Sequence, residues 1–116
     1  MQMSQRKVND VTVIEMSGKF GAGDGAGQLK DKIASLVFQG EKNIVLNVGG
    51  LTYVDSSGLG EMVASHGTAK RGGSDLKLAN IGKRLKDLLV MTKLLAVFES
   101  HDSEEAAIAS FSRHSV

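Results

Sequence analysis

The sequence predicts an α/β domain built on a mixed β-sheet, with an opening hairpin followed by helices and strands in alternation. Three observations carry this reading. Short β-rich runs recur along the chain, segments with apolar residues at helical spacing separate them, and the 116 residues fit one domain with no linker or internal repeat. Alternation of this kind implies parallel neighbours joined by right-handed crossovers. The whole chain, 1–116, is read as one unit.

The elements follow in order. Residues 3–8 form a short polar strand, Asn9-Asp10 a turn, and the β-rich run 11–17 its partner strand. The glycine-rich stretch Gly21 to Gly27 reads as a flexible loop. Leu29, Ile33, Leu36 and Val37 share one helical face, and Gly40 ends that helix. Residues 43–48, centred on Ile44-Val45-Leu46, form an apolar strand. Residues 49–54 lead from it into Asp55-Ser56-Ser57-Gly58.

A second helix is expected over about 59–69, with Leu59, Met62, Val63 and His66 on one face, ending at Arg71-Gly72-Gly73. Residues 75–80 alternate with period 2 and read as a strand. A third helix spans about 82–91 with Leu85, Leu88 and Leu89 inward. Val97-Phe98 reads as a last short strand. Asp102 as N-cap with Glu105 three residues later resembles a capping box opening a final helix through Phe111.

Composition narrows the function. Hydrophobic residues at 41% and charged residues at 23% match a globular core. A net charge of +1 gives no strongly basic face and 4% aromatics give few stacking platforms, both of which argue against nucleic acid. There is no cysteine, so disulfides and thiolate metal sites are excluded. No apolar run approaches the roughly 20 residues of a membrane span. The first residues, with no apolar stretch behind their charge, do not read as a signal peptide. A cytoplasmic location is the expectation.

Catalytic readings find little support. Gly21-x-Gly23-x-x-Ala26 formally matches a loose dinucleotide fingerprint between a strand and a helix, but the acid expected about 20 residues on is missing. His66 reads as a half-buried structural residue. His101 and His114 lack metal-like spacing, and Glu104-Glu105 suits a helix N-terminus. No enzyme, cofactor or metal is expected. The strongest local signal is Val54-Asp55-Ser56-Ser57-Gly58-Leu59-Gly60. Helix capping explains one small polar residue there, and three stand in a row. Gly60 in a first helical turn costs about 0.5–1 kcal/mol relative to alanine, which points to close approach of the backbone by something else.

Tyr53 to Gly60 resembles the signature of STAS-domain anti-sigma-factor antagonists. The similarity extends through residues 11–18, 43–48, 70–80 and 85–98 as the family's strands and helices in order. The resemblance implies a mixed sheet with helices mainly on one face. It also implies a non-enzymatic switch that binds an anti-sigma factor serine kinase and so releases a sigma factor. The kinase phosphorylates a serine at the start of the second helix, and a serine phosphatase reverses this. By motif position the acceptor is Ser57, with Asp55, Ser56, Gly58 and Leu59 facing the partner. The family commonly carries an acid in a Gly-x-Leu-Asp pattern after its first long strand. Here Gly18-Lys19-Phe20-Gly21 places Gly21 there, and Asp24 is the candidate replacement. Two other readings remain: a non-phosphorylated STAS scaffold or interaction module, and a small nucleotide-binding protein using loop 21–27.

Overall fold

The computed structural model describes residues 1–112. Strands β1 (Gln2–Val8) and β2 (Val11–Phe20) form the hairpin, turning at Asn9 with φ +55°. There follow α1 (Gln28–Phe38), β3 (Asn43–Val54), α2 (Ser56–Arg71), β4 (Asp75–Ala79), α3 (Lys83–Met91), a 3₁₀ turn (Leu95–Val97), β5 (Glu99–His101) and α4 (Glu104–Ser112). The sheet runs β1-β2-β3-β4-β5; β1 and β2 are antiparallel and all other neighbours are parallel.

Strand periodicity sorts the core into two faces. On one, Ile14, Met16, Ile44, Leu46, Leu76 and Leu78 meet Leu29, Ile33 and Leu36 of α1, Leu59, Met62 and Ala69 of α2, and Leu85 and Leu89 of α3. On the other, Val11, Val13, Val45 and Ala79 meet Ala107 and Phe111 of α4. Three helices thus cover one face and one covers the other.

Several boundaries differ from the sequence reading. Gly49-Gly50, read as following the strand 43–48, lies within β3, which continues to Val54 beside β2. A Cβ on Gly50 would sit 2.8 Å from the Met16 carbonyl oxygen, so close strand approach explains the residue. Helix α2 begins at Ser56, three residues before the expected start. In β4 the expected one-sided burial fails because α4 covers the second face: Leu76, Lys77, Leu78 and Ala79 are all buried. Lys77 is held there by Glu99 at 2.9 Å and the Ser110 hydroxyl at 2.6 Å, with Phe111 beneath its ammonium.

Near the C-terminus, Val97 lies in the 3₁₀ turn and the last strand is Glu99–His101. The cap of α4 is Ser103, whose hydroxyl accepts from the Ala106 N–H at 3.0 Å; Asp102 precedes it. His114 lies outside the described residues.

The strand β4 pairs with β3 only as far as Ala79 opposite Asn47. Asn80, at φ +59°, turns the chain away. Residues 50–54 of β3 therefore have β2 as their only strand neighbour, with Thr52 an extra residue where the register shifts.

Candidate functional site

The motif occupies the junction of β3 and α2. Asp55 is the N-cap of α2, extended at φ −98° and ψ −176°, and its Oδ1 accepts the Gly58 N–H at 3.0 Å. Its Oδ2 accepts the Ala22 N–H at 3.1 Å, from the loop after β2. One carboxylate thus caps a helix and ties down a loop. The Gly58 N–H, then those of Ala22 and Ser57, hold the Asp55 carboxyl below its ordinary value against the opposing effect of burial. Asp55 is therefore an anion at neutral pH, two residues before Ser57.

Ser56 and Ser57 are the first two residues of α2, and both are exposed. The Ser57 hydroxyl takes no part in the side-chain hydrogen bonds among the described residues. Gly58 and Leu59 are buried. A side chain on Gly58 would overlap the Phe20 carbonyl oxygen, and Leu59 belongs to the core. Both therefore expose little surface in the free chain. The close approach inferred at Gly60 occurs instead at Gly58, and it is made by the chain's own β2. A Cβ at Gly60 would meet nothing within 4 Å.

Gly21 stands where the resemblance leads one to expect an acid, and the structure supplies a reason. A Cβ there would overlap the Asp55 carboxylate. The Asp55 side chain fills the space that a side chain at position 21 would need. Gly21 and Asp24 exchange backbone hydrogen bonds, each at 3.0 Å, which closes a tight turn. The turn projects Asp24 into solvent. Loop 21–27 is thus ordered at its start by the 21–24 turn and by Asp55.

Its end is fixed by a residue the sequence reading did not single out. Gly27, at φ +84°, caps α1 without a side chain. Glu61 of α2 supplies the missing carboxylate, with Oε1 accepting the Gly27 N–H at 2.7 Å and Oε2 the Lys30 N–H at 3.0 Å. This is the work of an N-cap side chain, done from a neighbouring helix. The helix N-terminus that a nucleotide phosphate would use is already occupied by Glu61.

His66 and His101 each contact a neighbouring side chain. His66 is half-buried, edge-on to Phe98 at 5.3 Å and 74°. Burial, reinforced by the Lys70 charge, holds its imidazole below the ordinary value. His101 pairs with Glu99 at 2.7 Å. Among the described residues, no group of three or more His, Cys, Asp or Glu side chains is placed to hold a metal. No described helix is long and apolar enough to cross a membrane.

Comparison with known proteins gives this arrangement relatives. BtrV of Bordetella bronchiseptica, named as a candidate anti-sigma factor antagonist, is 25% identical over 111 residues, covering 96% of this chain and 95% of that one. The Bacillus cell fate determinant SpoIIAA in its phosphorylated form superposes with a TM-score of 0.72 at 22% identity, covering 95% and 99% of the two chains. It has also been solved unphosphorylated. An anti-sigma factor antagonist from Mycobacterium paratuberculosis gives a TM-score of 0.83 at 16% identity, covering 94% and 92%. The model of the STAS domain matches residues 2–107, and the chain belongs to the STAS domain family.

Proposed function

We propose that this protein is an anti-sigma-factor antagonist whose Ser57 is reversibly phosphorylated. In this reading the unmodified protein binds a serine kinase that doubles as an anti-sigma factor, and a sigma factor is freed. Phosphorylation of Ser57 dissolves the complex, and a serine phosphatase restores the binding form. The observation that carries the reading is Ser57 itself. It is an exposed residue with no side-chain hydrogen bond among the described residues, at the second position of a helix beside an ionised Asp55. The name of BtrV and the existence of SpoIIAA in both phosphorylation states support it. Ser56, Asp55 and the exposed Asp24 complete the proposed partner-facing surface.

The energetics favour a switch in binding over a switch in folding. A phosphoserine adds about −1.5 to −2 charges at pH 7. At a helix N-terminus the dipole offsets this by about 0.3–1 kcal/mol, and repulsion from Asp55 through water is of similar size. The two nearly cancel in the free protein. In a complex the phosphate must be desolvated near a partner, which costs several kcal/mol per ion. A loss of about 4 kcal/mol is roughly a thousandfold in affinity.

Incubation with an anti-sigma factor serine kinase and ATP, followed by intact mass and fragment mapping, tests the assignment. One phosphate on Ser57, absent in Ser57→Ala, is expected. Phosphate on Ser56, or undiminished incorporation in Ser57→Ala, contradicts it.

A further inference from the structure

We propose that the free edge of β3 at residues 51–54 accepts an extended, acidic segment of a partner protein as an added strand. The backbone there pairs with β2 alone, because β4 ends at Ala79 and Asn80 turns away. Alternate N–H and C=O groups on the other edge are left for a new neighbour.

Sheet edges are ordinarily protected by lysine, proline or a bulge that twists them away. Leu51-Thr52-Tyr53-Val54 has no lysine or proline and is rich in β-formers. Its one irregularity is at Thr52, an extra residue between Leu51, opposite Gly18, and Tyr53, opposite Lys19. Beside it lies a groove of about 350 Å³ between the strand residues Leu51, Tyr53 and Val54 and the α3 residues Arg84, Leu85 and Leu88. A groove along an open edge is what strand addition uses: main-chain pairing gives affinity, and pockets for alternate side chains give selectivity. Tyr53, 53% exposed, adds apolar surface to the groove.

Charge selects the occupant. Of the charged residues of α3, Arg84 lines the groove. Among the described residues it has no ion-pair partner, whereas Lys83 pairs with Asp87 at 3.1 Å. The unpaired guanidinium favours an acidic side chain flanking the added strand. A second copy of this chain would bring two such guanidinium groups together across a two-fold axis, so a foreign acidic strand fits better. The edge also runs directly into Asp55, so a partner at Ser57 has it within reach.

The test needs no kinase, so its failure and that of the Ser57 assignment are separable. The ¹⁵N-labelled protein is titrated with a capped peptide of alternating valine and glutamate, with its lysine counterpart, and with a valine–glutamate peptide N-methylated along one edge. Saturable amide shifts at residues 51–54 are expected from the first peptide. The lysine peptide and Arg84→Glu should each weaken binding about five-fold or more, and N-methylation should abolish it. Arg84 is a groove-lining surface residue, so its exchange leaves the fold intact, as the unperturbed spectrum will verify. Equal binding of the N-methylated peptide, shifts that map elsewhere, or no saturable shift overturns the proposal. So does dilution-dependent change at residues 51–54 without peptide, which would assign the edge to a second copy.

Discussion

At Asp55 one carboxylate accepts backbone N–H groups from both α2 and the loop after β2, and this double role settles the meaning of the glycines around it. Gly58 is required because Phe20 lies against it; Gly60 is not required by any contact within 4 Å. The two therefore respond oppositely to alanine. Gly60→Ala, on the exposed side of a helix, should raise stability by about 0.5–1 kcal/mol. Gly58→Ala must displace a strand end and should lower it by about 1–3 kcal/mol. Chemical denaturation of the two variants reads this directly; equal effects would contradict the close packing of Phe20 on α2. At this scale residue type marked Asp55, Ser56 and Ser57 as capping candidates without choosing among them, and Ser57 as acceptor rests on the family resemblance alone. Residue type did not separate Gly58 from Gly60, because the neighbour that distinguishes them comes from β2, far away in the chain.

Among the elements, α1 depends on α2 for its start. The carboxylate of Glu61 receives the Gly27 and Lys30 N–H groups, and Gly27 offers no side chain of its own. Glu61→Ala should cost about 1–2 kcal/mol, the range of a lost N-cap. It should also speed amide exchange in the first turn of α1 and in loop 21–27, with little change in the 43–48 strand. Glu61→Gln keeps an acceptor and should lose less. A uniform rise in exchange along the chain would contradict a local capping role.

Helix faces were legible because Leu29, Ile33 and Leu36, or Leu85 and Leu89, recur at helical spacing. The ends of β2 and β3 were not, because Gly49-Gly50 imitates a turn and only the partner strand reveals otherwise. The double burial of β4 was hidden by Lys77, a polar residue whose charge is met by Glu99 and whose stem lies under α4. The cap at Ser103 was missed in favour of Asp102, since both are good capping residues at adjacent positions.

For the whole molecule, the same junction that packs β2, β3 and α2 together leaves Ser56 and Ser57 in solvent. The fold holds the motif from beneath through Gly58 and Leu59 and presents the Ser56 and Ser57 hydroxyls to solvent. That separation would let a modification proposed at Ser57 leave the core undisturbed. Either exchange at Ser57 touches a helix start worth about 1 kcal/mol, against the roughly 5–15 kcal/mol of an ordinary domain. The central claim is that charge at Ser57 governs partner binding while the fold stays as it is. Its most direct measurement is calorimetric titration of Ser57→Ala and Ser57→Asp into the anti-sigma factor serine kinase, with melting curves of both variants alongside. Ser57→Ala should bind as the unmodified protein does, and Ser57→Asp about a hundredfold or more weaker, with both melting within a few degrees of the parent. Equal affinity of two folded variants would contradict the account and leave Ser57 as a surface residue of a helix start.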